Sequence, residues 1–124
     1  MRIRSYKDLD VWKNAVELAV LTDPLEEKLS RQRRYSAASQ LGRAVLSVSS
    51  NIAEGNGRIH RAEYAHHVSM SRGSLHEVES ILHVAIRTKR LGAQECAEAF
   101  AVIEVISRML TNLLRALYRR GTGD

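Results

Sequence analysis

The chain has 124 residues, of which 44% are hydrophobic, so it is long enough for one domain with a buried core and too apolar for general disorder. Aromatic residues make up 5%, which disfavours a β-sheet protein. Lys and Arg number 19 against 14 Asp and Glu, and the resulting charge of +5 favours an anionic partner only weakly.

The first predicted helix begins near Asp8 or Asp10, because either carboxylate suits the positive end of a helix. The apolar positions that recur at the 3–4 spacing of one buried face are Leu9, Trp12, Ala15, Val16 and Ala19. Asp23-Pro24 is expected to interrupt this helix, since proline has no amide proton and restricts the residue before it. A kinked continuation over Leu25–Leu29 and a connector over Arg31–Tyr35 are predicted to follow.

Three further helices are predicted. The second begins at Ser36 and stops at Gly55-Asn56-Gly57, where glycine readily adopts left-handed geometry. Its inward positions are Leu41, Ala44, Val45, Val48 and Ile52. The third spans Arg61–Lys89 and ends before Gly92, and the fourth spans Ala93–Tyr118. Their inward positions are Tyr64, Val68, Ser71, Leu75, Val78, Leu82 and Ala85 in the third, and Ala97, Phe100, Ile103, Ile106, Leu110, Leu113 and Leu117 in the fourth.

Short connections make an antiparallel order the simplest arrangement of these helices. We therefore predict an all-α fold, an up-down-up-down four-helix bundle that forms a single domain over residues 1–124. The first eight residues lack the apolar core of a secretory signal, and no stretch reaches the roughly 20 apolar residues that span a bilayer. Cys96 is the only cysteine, which excludes an intrachain disulfide. These features predict a cytoplasmic protein with no membrane partner, in which Cys96 is a small residue at a helix contact, or else a reactive thiol.

A polar ridge follows the second helix at spacings of 3, 4, 4 and 3, and it consists of Gln40, Arg43, Ser47, Asn51 and Glu54. Asn and Ser are poor helix formers, so we expect the ridge to be sequestered and hydrogen-bonded. Its expected partners on the third helix are Arg72, Ser74, Glu77 and Glu79. Arg43 is predicted to form an ion pair with Glu77 or Glu79, and Gly73 indicates close approach of another backbone. Three interpretations of the polar ridge remain open. It is a structural network within or between subunits, a ligand or catalytic site, or a partner-binding face.

The basic residues concentrate at the two ends of such a bundle. The end that holds both chain termini, the terminal end, collects Arg2, Arg4, Lys7, Arg58, Arg61, Arg115, Arg119 and Arg120. The opposite end, the turn end, collects Lys28, Arg31, Arg33, Arg34, Arg87, Lys89 and Arg90. Cations near helix C-termini offset the macrodipole, but those before helix N-termini are unfavourable there.

A bound phosphate backbone would explain the cations at the terminal end, so those eight residues are the predicted nucleic-acid site. Solvated charge and an acidic protein partner are the alternatives. Trp12 and the tyrosines are expected to be mostly buried, which favours backbone or shape recognition over base stacking.

The histidines raise the question of a metal enzyme, since all five lie between His60 and His83. Glu63 and His66 have the spacing found in di-iron bundles, but only one such pair is present, and Glu79 with His83 is typical of a surface pair. The chain contains no P-loop, dinucleotide fingerprint or nucleophile motif. We therefore predict no catalytic residues, no metal, no cofactor and no enzymatic activity.

Four motifs carry a resemblance to a known family. They are Asp8-Leu9-Asp10-Val11-Trp12 with Ala15 and Leu18, Gln40-Leu41-Gly42-Arg43-Ala44 with Ser47, Ser50-Asn51-Ile52-Ala53-Glu54-Gly55 with Arg58, and Arg72-Gly73-Ser74-Leu75 with Glu77 and Glu79. In these the chain resembles the bacterial four-helix bundle proteins of the 23S rRNA intervening-sequence protein (S23) family, which includes relatives of the accessory variability proteins of diversity-generating retroelements. The resemblance implies a five-fold homo-oligomeric ring, a basic surface suited to RNA or other nucleic acid, and no enzymatic activity.

The sequence thus favours a non-enzymatic homo-oligomer, a pentamer if the resemblance holds, that binds RNA or DNA through its basic ends. The alternative is a protein-interaction scaffold for a nucleic-acid enzyme such as a reverse transcriptase.

Overall fold

The computed structural model describes the backbone of residues 5–121 and the side chains of residues 5–119. Within this range a short 3₁₀ helix, Tyr6–Asp8, precedes four helices, which are α1 (Asp10–Arg31), α2 (Tyr35–Asn56), α3 (Arg61–Arg87) and α4 (Ala93–Gly121). Helices α1 and α3 each pack against both α2 and α4, and no strand occurs in this range. The predicted all-α four-helix bundle is confirmed. None of the four helices is apolar enough over its described length to span a bilayer.

The bundle core is aliphatic, and its largest fully buried side chains include Leu18, Leu41, Ile52, Leu75 and Leu110. All five inward positions predicted for α2 are buried, and in α3 only Tyr64 of the predicted set is partly exposed. The prediction for α4 is wrong at Ala97, which is exposed, while the adjacent Cys96 is buried. Cys96 is fully buried in the core, as expected for a small residue at a helix contact, and this burial raises the pKa of its thiol.

Helix α1 differs from the prediction in two respects. It runs through Pro24 without interruption, and its buried positions are Val11, Ala15, Leu18, Thr22, Leu25 and Leu29, at a strict alternation of four and three residues. Val16, predicted to face inward, is 38% exposed. Pro24 lies on the exposed side of the helix, and the buried stripe continues past it. Core packing by the opposite side therefore outweighs the helical hydrogen bond that proline, which has no amide proton, cannot make.

The turns at the turn end share one backbone geometry. At the end of α1, Arg33 N–H donates to the Ser30 carbonyl (2.9 Å) and Arg34 N–H to the Leu29 carbonyl (2.8 Å). At the end of α3, Lys89 N–H donates to Ile86 and Arg90 N–H to Ala85, at 3.0 and 2.8 Å. Both patterns are Schellman motifs. Their left-handed residues are Arg33 (φ 63°) and Lys89 (φ 62°), where glycine is the usual choice.

The glycines behave differently from the prediction. Gly57, expected to be left-handed, has φ −81° and ends α2 in right-handed geometry. Gly73 has open space around it within the chain, so its expected backbone neighbour is absent among the described residues. The close approach instead occurs at Gly55, where an added Cβ would lie 2.7 Å from Cβ of His67.

Candidate nucleic-acid interface

A ladder of polar side chains joins α2 to α3. The hydroxyls of Ser47 and Ser74 share a hydrogen bond of 2.8 Å, and the Asn51 amide donates to both the carbonyl and Oγ of Ser47 at 3.0 Å. Asn51 Oδ1 lies 3.1 Å from Nδ1 of His67, which donates because an amide oxygen can only accept. The buried Ser71 hydroxyl donates to the Val48 carbonyl at 2.8 Å. This polar ladder fixes the register of the two helices with bonded partners.

The ladder contains only part of the predicted network. Ser47, Asn51 and Ser74 belong to it, whereas Gln40 and Arg43 are exposed. The Gln40 side chain donates to Ser36 in its own helix at 3.2 Å. The predicted pairing of Arg43 with a carboxylate of α3 is wrong, because no such ion pair forms among residues 5–119. The side chains of the remaining predicted members, Arg72, Glu77 and Glu79, make no hydrogen bond or ion pair in that range either.

The polar ridge is therefore sequestered only at its centre. At its last position, Glu54 is exposed and accepts a hydrogen bond from Arg58 at 2.7 Å. His67 is the residue that the prediction missed. It shares the 4–3 spacing of Ser71 and Ser74 on α3, a pattern that could have identified it as a member of the same face.

The predicted nucleic-acid site at the terminal end is only partly described. Arg2 and Arg4 lie outside the described residues, and so does the side chain of Arg120. Lys7 is exposed beside the start of α1, Arg58 is half-exposed in its pair with Glu54, and Arg61 begins α3. Arg115 and Arg119 are exposed on the last turns of α4. The antiparallel order thus brings these side chains to one end, and their binding of nucleic acid stays a prediction.

At the turn end the cations mostly lack carboxylate partners. Lys28 pairs with Glu95 (2.7 Å) and Arg31 with Glu27 (3.2 Å). The others form no ion pair among the described side chains, and they are Arg33, Arg34, Arg87, Lys89 and Arg90. The Gln32 amide donates to the Arg90 carbonyl at 2.9 Å and joins the two turns. The turn end therefore holds five cations without a carboxylate partner among the described side chains.

Helix α2 begins at the turn end without a capping side chain. Arg34 occupies the N-cap position, and the first turn contains no acidic residue. A positive side chain at the positive end of a helix is electrostatically unfavourable unless an anion lies nearby.

The expectation of buried aromatic residues is wrong for two tyrosines. Tyr35, the first residue of α2, is 64% exposed, and Tyr118 near the end of α4 is 61% exposed. Trp12 is partly buried and packs edge-on against Tyr6, with ring centroids 5.1 Å apart. One exposed aromatic ring therefore lies at each end of the bundle.

The histidine-rich stretch does not assemble a metal site in the described part of the chain, where no group of three His, Cys, Asp or Glu side chains could share an ion. Glu63 and His66 line a shallow surface pocket with Arg58 and His67. His83 stacks on Phe100, with ring centroids 4.6 Å apart.

Comparisons with known proteins agree with this architecture. Residues 7–112 match the family model described as 23S rRNA-intervening sequence protein. The chain is also similar to the crystal structure of a protein of unknown function from the S23 ribosomal protein family of Bacteroides thetaiotaomicron. That likeness has 21% identity and a TM-score of 0.79, covers 84% of this chain and 97% of the other, and shows the fold alone. No curated protein matches the chain. Since the family model covers most of the sequence, the chain belongs to the 23S rRNA-intervening sequence protein family.

Proposed function

We propose that this protein is a non-enzymatic bundle that binds RNA or other nucleic acid through its basic ends. The observation that carries the proposal is the set of unpaired cations at the turn end, Arg33, Arg34, Arg87, Lys89 and Arg90. Like charges gathered at one end of the bundle repel one another, and a phosphate backbone would relieve this repulsion while releasing counterions. The family description names 23S rRNA, which supports RNA as the polyanion.

Assembly into a homo-oligomer, a pentamer by the family resemblance, forms part of the proposal. Leu46 on α2 and Met70 on α3 are large apolar side chains that are 64% and 44% exposed. Such a face could pack against a second copy, and repetition of the basic ends would strengthen binding through avidity. Light scattering is expected to give a mass of several subunits, and a mass near the 13.9 kDa of one chain would contradict assembly.

Matched charge reversals test the binding function. Lys7→Glu/Arg115→Glu alters the terminal end, Arg87→Glu/Lys89→Glu alters the turn end, and Arg72→Glu/Arg108→Glu alters exposed positions in the middle of α3 and α4. Each pair changes the net charge equally, so global charge is controlled. At low salt we expect each end variant to weaken RNA binding about tenfold or more, and the control pair to weaken it much less. Equal losses in all three, or no RNA binding by the wild type, would refute the proposal.

A second candidate function is a protein-interaction scaffold for a nucleic-acid enzyme such as a reverse transcriptase. Ile59 in the α2–α3 connection is the contact that we propose for it, because this large apolar side chain is 93% exposed at the terminal end. If the scaffold function holds, Ile59→Ser abolishes co-purification of the enzyme and leaves RNA affinity unchanged. Retention of the enzyme by Ile59→Ser would exclude this contact.

A further inference from the structure

A cavity of about 620 Å³ opens at the turn end, between the α1–α2 turn, the first turns of α2 and the last turns of α3. Leu29, Ile81 and Val84 contribute to the apolar wall of this turn-end cavity, and three arginines and Tyr35 also line it, a set that we call its rim. Its full lining is Leu29, Arg33, Arg34, Tyr35, Ser36, Ala37, Gln40, Ser80, Ile81, Val84, Ala85, Thr88 and Arg90. No carboxylate lines it. Its size lies within the range of small-ligand sites.

The positive charge on the rim is present at a cost in stability. Arg33 holds a left-handed conformation that costs a non-glycine residue about 1 kcal/mol, and glycine would avoid this cost. The need for a cation to offset the macrodipole of α1 does not explain why arginine replaces glycine at this position, because Lys28 and Arg31 already supply cations in the last turn of α1. The matching turn after α3 repeats the choice with Lys89 at the same position. Two basic side chains in place of two glycines indicate that these charges are needed where they lie.

The apolar wall distinguishes this cavity from a plain phosphate site. Tyr35 and Val84 line it and remain 64% and 58% exposed, so an aromatic ring and an aliphatic side chain face water beside the three arginines. The backbone of a duplex presents only phosphates and sugars and gains nothing from such a wall. An unpaired nucleotide combines a flat apolar base with phosphates on either side, which matches the wall and the rim together.

We propose that the turn-end cavity receives one unpaired base of single-stranded RNA, with the base against Tyr35 and Val84 and the flanking phosphates on Arg33, Arg34 and Arg90. This inference rests on the proposed nucleic-acid binding and deepens it, because it assigns a preference for single strands to one end of the bundle.

The test compares Tyr35→Ala, Tyr35→Phe and the matched control Tyr118→Ala, which removes the exposed tyrosine at the opposite end. Affinity for a single-stranded RNA oligonucleotide and for an RNA duplex of the same length is measured by fluorescence anisotropy. Circular dichroism verifies that each variant is folded. Loss of one stacked base is expected to weaken single-strand binding by Tyr35→Ala roughly 5- to 100-fold. Duplex affinity should stay the same, and Tyr35→Phe and Tyr118→Ala should bind like the wild type.

The outcomes separate the two proposals. If the wild type binds RNA but Tyr35→Ala weakens neither substrate, or weakens both equally, the base-binding site is refuted while nucleic-acid binding stands. If the wild type binds no RNA, the proposed function itself fails. A free mononucleotide could also compete with the oligonucleotide for binding. If it competes as strongly at equal nucleotide concentration, the cavity binds single nucleotides, and the proposal that it binds a base within an RNA strand is overturned.

Discussion

Gly55 is the position where the contact between α2 and α3 leaves the least room. A Cβ added there would lie 2.7 Å from Cβ of His67, 3.1 Å from Cδ1 of Tyr64 and 3.3 Å from the Tyr64 carbonyl oxygen. Two of these neighbours are a Cβ and a backbone atom, which cannot swing away as the tip of a long side chain can. Gly55→Ala must therefore push the two helices apart or distort them.

Overpacking of this kind costs about 1–3 kcal/mol, whereas alanine gains up to about 1 kcal/mol over glycine in a helix. We expect Gly55→Ala to lower the free energy of unfolding by about 1–2 kcal/mol. Gly73→Ala is the matched control, because it makes the same substitution on α3 with no atom within 4 Å of the new methyl group. It should raise the free energy of unfolding by up to about 1 kcal/mol.

Urea denaturation followed by circular dichroism measures both free energies of unfolding. The melting temperature should fall for Gly55→Ala and rise for Gly73→Ala. Stabilisation by Gly55→Ala would refute the close approach of the two helices. Destabilisation by Gly73→Ala would show that another backbone, from a second copy of the chain, occupies the space that a single chain leaves open.

Three further changes follow from the same contacts. Asn51→Ala should cost about 1–3 kcal/mol, because it leaves the partly buried Ser47 and His67 without this partner, while the exposed Ser50→Ala on the same helix should be nearly neutral in urea denaturation. The hydrogen bond from Lys28 lowers the pKa of Glu95 below its ordinary value of 4.5. The ionised Glu95 therefore contributes fully to folding stability above that ordinary value, and this contribution is lost as the pH falls through the lowered pKa. The melting temperatures of wild type and Glu95→Gln should therefore converge in acid, and a constant gap would contradict this. Arg33→Gly should stabilise the fold by about 1 kcal/mol yet weaken RNA binding, and unchanged RNA affinity would argue against a role at the rim.

The helices were predictable because hydrophobic periodicity is strong in this chain, but local signals misled the prediction for α1. Proline is a breaker in isolation, yet Pro24 lies on the exposed face while Thr22, Leu25 and Leu29 continue the buried stripe past it. The choice of Val16 over Leu18 as an inward residue failed for a related reason. Both fit a 3–4 spacing, and only the neighbouring helices decide which face turns inward.

The site was less predictable than the fold. The hydrogen-bonded centre of the polar ridge, Ser47 and Asn51, followed from the poor helix propensity of these residues. The exposure of its outer members, Gln40, Arg43 and Glu54, was not predictable. Spacing places residues on one face of a helix, but it does not reveal where the contact with the next helix ends. The exposure of Tyr35 and the left-handed geometry of Arg33 depend on the shape of the turn, which the sequence does not encode in any recognised motif.

The central claim is that basic side chains at the ends of the bundle neutralise phosphates of a bound strand. The dependence of the RNA dissociation constant on salt tests this claim most directly, since each neutralised phosphate adds about 0.7 to the slope of log K against log salt for a single strand. We predict a slope of roughly −2 or steeper for the wild type, with a clearly shallower slope for Arg87→Glu/Lys89→Glu. Binding that is insensitive to salt, or a slope that this double variant leaves unchanged, would contradict the claim.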